Sequence, residues 1–264
     1  MKKFAVIGES LSHSFSPTLH KIIYQKLKIN ACYNKVEIAP KDLSNFIIEN
    51  QFNGLNVTIP YKEKVIPVLN QIDKPSQIIG AVNCLNGLKG FNTDWKGFLK
   101  SMEINNVELS GKNCLILGAG GAARAIAFAL YKANVRSIKF KNRTQNRLKD
   151  ITNWINVLFI NNKDHRKPDI IINCTPLGMY PRHDKIPLEA INISNNQILI
   201  DTIYNPLITN WLKEGTEKGA KIISGVDMLI AQALYSINIW FGIDAFKSID
   251  FLKLKKELNT YYAS

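Results

Sequence analysis

The sequence lacks any apolar run long enough to cross a bilayer. Its opening Met1-Lys2-Lys3 is followed only by the short apolar run Phe4–Ile7, which is too short for the hydrophobic core of a secretory signal. These absences exclude a transmembrane helix and predict a cytoplasmic protein.

Cysteine is scarce: the chain of 264 residues has 4, and no two of them form a Cys-x-x-Cys pair. No histidine stands at a spacing suited to zinc, so we expect no metal site. Each cysteine lies in or beside an apolar stretch, which predicts buried free thiols. They are Cys32, Cys84, Cys114 and Cys174.

Arginine-rich blocks and interleaved basic and aromatic residues are also missing, although the formal net charge is +13. The lysines are spread along the whole chain, whereas a nucleic-acid-binding protein concentrates them on one face or segment. Nucleic-acid binding is the alternative that the charge leaves open. We favour solvated surface lysines, with anionic small molecules as partners and neither nucleic acid nor membrane.

The most informative segment is a glycine cluster that follows the apolar run Cys114–Leu117. Its spacing, Gly118-x-Gly120-x-x-Ala123, fits the dinucleotide-binding fingerprint, in which alanine is allowed at the third position. The residues after it predict a helix over 121–132, whose free N–H groups would hold a pyrophosphate. A structural glycine turn is the alternative, but a strand before the turn and a helix after it favour a cofactor site.

No aspartate or glutamate occurs between Glu108 and Asp150. An NAD-binding fold usually places an acid after its second strand, where it accepts hydrogen bonds from the ribose 2′-hydroxyl. Here the strand predicted at 136–140 is followed by Arg143 and Arg147, whose guanidinium groups match a phosphate group. The sequence therefore predicts NADP rather than NAD.

Apolar strands alternate with helical segments along the chain, which indicates an α/β fold with parallel strands. A polar stretch at 105–111 separates two sets of strands. We predict an amino-terminal α/β substrate domain over 1–104, completed by a carboxy-terminal helix in 241–264. Residues 105–240 would form a doubly wound, Rossmann-like NADP domain, with a cleft between the two domains.

Several polar side chains stand at the carboxyl ends of predicted strands, where open α/β sheets bind their ligands. Thr58 and Lys62 follow a short strand that breaks at Pro60, and Asp94 begins a helix. Lys62 is either one more solvated lysine or, with Asp94, half of a polar catalytic pair. Asp94 also suits a plain helix N-cap.

Two further sites have two interpretations each. Ser14 and Ser16 precede Pro17 at the start of a predicted helix, so they either cap the helix, with Ser16 as N-cap, or bind an anionic group there. Gln232 lies on a strongly apolar helix predicted at 226–240. It is either a satisfied core amide or a group that faces a cleft.

Eight ordered motifs together resemble the shikimate dehydrogenase family of the aromatic amino-acid pathway, over nearly the whole chain. They are His13-Ser14-Phe15-Ser16-Pro17, Asn56-Val57-Thr58-Ile59-Pro60-Tyr61-Lys62, Gly80-Ala81-Val82-Asn83, Asn92-Thr93-Asp94, Gly118–Ala125, Asn142-Arg143-Thr144, Tyr204-Asn205-Pro206 and Met228-Leu229-Ile230-Ala231-Gln232. Two positions depart from the family pattern: Cys84 stands where threonine is common, and Cys174 begins a varied segment. Neither removes a group to which the resemblance assigns chemistry.

The resemblance implies an oxidoreductase that reduces 3-dehydroshikimate to shikimate reversibly with NADPH. Lys62 and Asp94 would be its catalytic pair. The residues expected to bind substrate are Ser14, Ser16, Thr58, Asn83, Tyr204 and Gln232. The residues expected to bind NADP(H) are Gly118, Ala119, Gly120, Gly121, Ala122, Asn142, Arg143, Thr144, Arg147, Thr175, Gly225 and Met228.

Two alternative functions remain at this point. The nearest is a quinate/shikimate dehydrogenase that uses NAD, which the acid-free segment after Glu108 disfavours. The other is a non-catalytic dinucleotide- or nucleic-acid-binding protein, which would not need Lys62 and Asp94 together. We expect a monomer or a homodimer.

Overall fold

The chain folds into two compact units, each with its own sheet. The computed structural model describes residues 1–159, 167–187 and 193–261. One unit comprises Met1–Gly97 with Ile230–Ser264, and the other comprises Phe98–Leu229. Both divisions fall inside a helix. The domain limits given above, 1–104 with 241–264 and 105–240, stay a prediction.

The amino-terminal segment forms a six-stranded mixed sheet in the order β2-β1-β3-β5-β6-β4. Its strands are β1 (Lys2–Gly8), β2 (Ala31–Glu37), β3 (Gly54–Val57), β4 (Gln71–Ile72), β5 (Cys84–Asn86) and β6 (Lys89–Phe91). Its helices are α1 (Ser16–Lys26), α2 (Leu43–Glu49), α3 (Lys74–Ile79) and α4 (Asp94–Ile104). Because β1 and β3 are adjacent and parallel, the loops that follow them leave the same edge of the sheet.

The rest of the chain forms a five-stranded, all-parallel sheet and then returns to the first unit. The strands are β7 (Asn113–Leu117), β8 (Ser137–Lys141), β9 (Ile170–Asn173), β10 (Ile198–Asp201) and β11 (Lys221–Ile223). The helices are α5 (Gly121–Lys132), α6 (Gln145–Leu158), α7 (Asn210–Glu217), α8 (Val226–Phe241), α9 (Ala245–Ser248) and α10 (Phe251–Thr260). The predicted α/β fold with a Rossmann-like parallel sheet is confirmed.

The strand order of the second sheet, β11-β10-β9-β7-β8, reverses direction at β7. The chain runs from β7 outward to β8 and then crosses back to β9 on the other side of β7. Such a reversal opens a crevice at the carboxyl end of the first strand, where doubly wound sheets bind nucleotides. The glycine cluster begins directly after β7.

The first sheet is covered on both faces, because β1 carries buried apolar side chains on each of its faces. On one face, Ile7 of β1 and Val57 of β3 belong to the same buried cluster as Ile47 of α2. On the other face, Phe4 stacks on Trp240 of α8 at 4.6 Å between ring centroids. The indole Nε1 of Trp240 donates a hydrogen bond to the Leu85 carbonyl at 2.8 Å. The end of α8 is therefore part of the first unit's core.

The predicted carboxy-terminal helix is present as α10, and it packs on α1 through a salt bridge of 2.7 Å between Lys26 Nζ and Glu257 Oε2. No helix in the described part of the chain is long and apolar enough to cross a membrane.

None of the four cysteines forms a disulfide, but only Cys84 and Cys114 are buried, whereas Cys32 and Cys174 are half-buried. The expectation of four buried thiols is thus correct for two of them. Burial raises the pKa of the Cys84 thiol to about 12, so this group stays protonated and unreactive at neutral pH.

Candidate active site

The predicted polar pair is formed: Lys62 Nζ and Asp94 Oδ2 lie 2.6 Å apart. The side chains are 15% and 7% exposed, so the salt bridge is largely withdrawn from solvent. Lys62 follows β3 and Asp94 begins α4, and the two residues are 32 positions apart in sequence. Lys62 is therefore not a solvated surface lysine.

The backbone around Lys62 is fixed by two contacts. The bend contains a cis Ile59–Pro60 peptide, and the next residue, Tyr61, is fully buried with its hydroxyl donating to the Ile38 carbonyl. The N–H of Val82 then donates to the Lys62 carbonyl at 2.7 Å. These bonds hold the backbone on both sides of Lys62, and its side chain extends from there to Asp94.

Asn83 holds the second oxygen of Asp94. Its Nδ2 donates to Asp94 Oδ1 at 2.8 Å and to Thr93 Oγ1 at 3.0 Å, and its Oδ1 accepts the Thr93 N–H at 2.6 Å. Both oxygens of the Asp94 carboxylate are thus engaged, one by a cation and one by a buried amide. Because both oxygens are bonded, the Asp94 carboxylate has a fixed orientation. It therefore also fixes the position of the Lys62 ammonium group.

Gln232 lies beside this cluster. It is half-buried, and its Oε1 is 3.5 Å from both Asn83 Nδ2 and Thr93 Oγ1. Ser236, one turn further along α8, has its Oγ 3.4 Å from Thr93 Oγ1. The polar set on the first sheet thus meets α8 at two side chains.

Thr93, Ser236 and Asn56 belong to this network and were not among the predicted site residues. Asn56 Nδ2 donates to Ser236 Oγ at 2.9 Å, and the Tyr33 hydroxyl donates to Asn56 Oδ1 at 2.7 Å. Two signals in the sequence could have identified Asn56 and Ser236. Asn56 is a polar residue inside an apolar strand, and Ser236 stands four residues after Gln232 on an apolar helix.

Ser14 and Ser16 lie in the loop after β1 and at the start of α1. The Ser16 N–H is 3.4 Å from Ser14 Oγ, its acceptor. The N-cap prediction for Ser16 is wrong, because α1 begins at Ser16 itself and the N-cap, Phe15, offers no side-chain acceptor. Thr58 is half-buried and follows directly after β3. Because β1 and β3 are parallel neighbours, Thr58 and the serine loop lie at the same edge of the sheet.

The glycine cluster combines a turn that needs glycine with a helix start that has no side-chain cap. Gly118 has φ of 112°, and a Cβ there would lie 3.1 Å from the backbone of Cys174, so only glycine fits without strain. Gly120 is the N-cap of α5, and a Cβ on it would meet no atom within 4 Å. With no side-chain cap on α5, the N–H groups of Gly121 and Ala122 in its first turn lack intrahelical acceptors.

The basic segment lies at the carboxyl end of β8, next to β7. The Gly118 N–H donates to the Lys141 carbonyl at 2.8 Å, which joins the glycine turn to the start of this segment. Asn142 Nδ2 donates to the Thr144 carbonyl at 3.0 Å and shapes the entry to α6. Arg143 and Arg147 are exposed here.

The remaining predicted residues follow strands of the second sheet. Thr175 follows β9, and Tyr204, half-buried, follows β10. Gly225 precedes α8, and a Cβ on it would lie 2.3 Å from the Thr202 carbonyl oxygen, so this position admits only glycine. Met228 is half-buried in the first turn of α8. Tyr204 thus lies in the unit of Phe98–Leu229, whereas the other predicted substrate residues lie in the first unit.

The described residues contain no group of three or more His, Cys, Asp and Glu side chains suited to a metal ion. A groove of about 540 Å³ between α1 and β2 is lined by Lys21, Tyr24, Cys32 and Tyr33 among others. It contains none of the predicted site residues. The chemistry therefore points to the strand ends rather than to this groove.

Comparison with known proteins agrees with the geometry. The profile of the shikimate dehydrogenase substrate binding domain matches residues 6–85, the segment that holds Lys62 and Asn83. The NADP(+) shikimate dehydrogenase of Methanosphaera stadtmanae is 39% identical over 256 residues, covering 90% of each chain.

Two solved structures match nearly the whole chain. A shikimate dehydrogenase in complex with NADP+ superimposes with a TM-score of 0.89 at 33% identity, covering 99% of this chain and 96% of that one. The Thermus thermophilus enzyme in complex with NADP(H) and shikimate has a TM-score of 0.86 at 30% identity, covering 98% and 99%. The chain therefore belongs to the shikimate dehydrogenase family.

Proposed function

We propose that this chain catalyses the reversible, NADPH-dependent reduction of 3-dehydroshikimate to shikimate. The observation that carries the proposal is the Lys62–Asp94 pair at 2.6 Å, backed by Asn83 and located at a strand end. A reduction of a ketone to an alcohol needs one hydride at carbon and one proton at oxygen. The pair is suited to supply the proton.

Lys62 acts at the carbonyl oxygen of the substrate. When bound, NADPH supplies the hydride to the ketone carbon, and negative charge develops on the oxygen. The Lys62 ammonium stabilises that charge and donates a proton to the oxygen, and in the reverse reaction the amine accepts it. Asp94 keeps Lys62 in place, and Asn83 keeps Asp94 in place. General acid–base groups of this kind typically contribute about 10²–10⁴-fold to the rate.

The remaining polar side chains would orient the substrate ring. Ser14, Ser16 and Tyr204 would donate hydroxyl hydrogen bonds to the substrate carboxylate. Thr58, Asn83 and Gln232 would bind the ring hydroxyls. Support comes from the shared sheet edge of the first-unit residues and from the half-buried Gln232 beside Asn83. Fixing the ring in this way would hold the carbonyl against Lys62.

The second unit fits NADP(H). The uncapped start of α5 and the open space at Gly120 suit the pyrophosphate, with Ala119 and Ala122 too small to block it. Asn142, Arg143, Thr144 and Arg147 would hold the 2′-phosphate, since guanidinium groups bind phosphate bidentately. Thr175, Gly225 and Met228 would line the nicotinamide site.

Initial rates at 340 nm test the proposal with four combinations of substrate and cofactor. We expect shikimate with NADP+ to give the highest kcat/KM, at least about tenfold above quinate with NADP+ or shikimate with NAD+. A preference for quinate with NAD+ would identify the alternative dehydrogenase instead. Absence of turnover in all four combinations, together with salt-sensitive binding of nucleic acid, would refute an enzymatic role.

We also propose a cytoplasmic location, which four cysteines without a disulfide support because oxidising compartments favour disulfides. The choice between monomer and homodimer is decided by sedimentation analysis.

A further inference from the structure

Two neighbouring strands of the second sheet end in the same way. Asn173 ends β9 and Asp201 ends β10, and they are paired directly in register. Each forms an Asx turn, in which the side-chain oxygen accepts the N–H of the residue two positions on. Asn173 Oδ1 accepts from Thr175 at 2.9 Å, and Asp201 Oδ1 accepts from Ile203 at 3.0 Å.

The two turns are bonded to each other. Asn173 Nδ2 donates to Asp201 Oδ1 at 3.0 Å, and both side chains are fully buried. The N–H and hydroxyl of Thr202 also donate to the Asn173 carbonyl, at 3.0 and 2.8 Å. The loops that leave β9 and β10 are therefore tied together at their first residues.

The bonds between the two turns connect to three residues that the proposed function uses, Thr175, Tyr204 and Gly225. Asn173 Oδ1 accepts the Thr175 hydroxyl at 2.7 Å, in addition to the Thr175 N–H. The Asp201 turn leads through Ile203 into Tyr204. The Ile203 carbonyl then accepts the Gly225 N–H at 2.9 Å. One buried pair of side chains thus sets the backbone at a substrate residue and at two cofactor residues.

A buried aspartate at this position lowers the stability of the fold, which a purely structural role does not explain. Among the described residues it has no cation partner; its oxygens accept from Asn173, Ile203 and Thr209. Burial raises the pKa of its carboxyl to about 7 in spite of these hydrogen bonds. A buried carboxylate without a cation lowers stability, but it accepts on both oxygens and so imposes one geometry on all three donors.

We infer that Asn173 and Asp201 are positioning residues, which place the loops at 174–178 and 202–206 for the nicotinamide and for the substrate carboxylate. The inference rests on the proposed function for the identity of both ligands. Ligands of parallel sheets bind at the carboxyl ends of strands, whereas side chains at the amino ends contribute to stability alone.

The same sheet offers a matched control at its amino edge. Asn113 begins β7, its N–H and Nδ2 donate to Asp169 Oδ2 at 2.7 and 3.3 Å, and its Oδ1 accepts the Ser137 hydroxyl at 2.9 Å. Like Asn173, it is a buried asparagine bonded to an aspartate, although Asp169 is half-buried. It differs from Asn173 in lying at the amino end of its strand, away from the carboxyl ends.

The test is direct calorimetric binding of NADP+ together with the KM for shikimate, in Asn173→Ala and Asn113→Ala. We expect both variants to lower the melting temperature by similar amounts. Only Asn173→Ala should raise the Kd for NADP+ and the KM for shikimate, each by about tenfold, or about 1.4 kcal/mol. Asp201→Asn keeps an acceptor oxygen for Ile203 and Asn173, so it should stay within about threefold of the natural chain.

Unchanged constants in a folded Asn173→Ala, or equal increases in Asn113→Ala, would overturn the inference. If Asn173→Ala does not fold, Asn173→Ser keeps an acceptor for Thr175 and loses the donor to Asp201. We then expect an increase of at least about threefold in both constants, and no increase would overturn the inference equally. NADP+ binding needs no turnover, so a chain that binds NADP+ but does not oxidise shikimate would refute the proposed function separately.

Discussion

His20 gives the chain a defined sensitivity to acid. It lies in α1, is fully buried, and neither ring nitrogen has a hydrogen-bond partner among the described residues. Its ring stacks on Tyr33 at 3.8 Å with an interplanar angle of 6°. Burial lowers the pKa of His20 from 6.5 to about 3, because the charged imidazolium would have no water around it.

The sign of the effect follows from proton linkage. The unfolded chain binds a proton at His20 near pH 6.5, whereas the folded chain binds it only near pH 3. Stability from this group is therefore complete above pH 6.5 and is lost as the pH falls toward 3. Between pH 8 and pH 5 the free energy of unfolding falls by about 2 kcal/mol, because each pH unit below 6.5 costs about 1.36 kcal/mol.

His20→Phe removes the titration and keeps an aromatic ring against Tyr33. At pH 8 we expect the variant to be at least as stable as the natural chain, because two buried nitrogens without partners are removed. At pH 5 we expect it to exceed the natural chain by about 2 kcal/mol more than at pH 8. Urea titrations at the two pH values measure both differences.

Other titrating groups do not affect the comparison. Asp201, with its pKa raised to about 7, lowers stability as the pH rises from about 4 to 7, but it does so in both proteins. The control variant is His183→Gln, which removes an exposed histidine and keeps the buried His20. An identical pH dependence in His20→Phe and the natural chain would refute the reasoning.

Three further predictions concern cofactor and packing. Replacing Arg143 and Arg147 by alanine should lower kcat/KM for NADP+ by about 100-fold and that for NAD+ by less than about threefold; equal losses would contradict a 2′-phosphate site. Gly225→Ala should lower the melting temperature, since its Cβ would lie 2.3 Å from the Thr202 carbonyl oxygen, and unchanged melting would exclude that close approach. Ser236→Ala should lower the free energy of unfolding in urea titration by about 1–2 kcal/mol, because Asn56 Nδ2 loses one of its two acceptors and keeps only the Asn83 carbonyl. An unchanged free energy of unfolding would show that the Asn56–Ser236 bond does not stabilise the fold.

The cofactor-side geometry was predictable because its signals are local. Strand, glycine turn and helix occur within about twenty residues, and Gly118 has the positive φ that only glycine adopts easily. The missing acid after β8 is also read directly from neighbouring positions. Short-range steric and electrostatic rules decide such features, so one sequence is enough.

The polar network around Asp94 was only half predictable because its bonds join distant segments. Strand ends pointed to Lys62 and Asp94, but the bond between Asn56 and Ser236 spans 180 positions, which no periodicity encodes. The N-cap at Ser16 failed for a different reason. Helix ends depend on backbone angles near the boundary, and Phe15 is already helical, with φ of −89° and ψ of 0°.

The proton-donor role of Lys62 is tested most directly by Lys62→Ala, with Lys64→Ala as the matched control. Lys64 is exposed and two residues away, so its removal should change neither kcat nor shikimate binding by more than about twofold. For Lys62→Ala we predict a kcat lower by about 10²–10⁴-fold with the Kd for shikimate within about tenfold. A Lys62→Ala variant that binds shikimate and keeps near-normal turnover would contradict the mechanism.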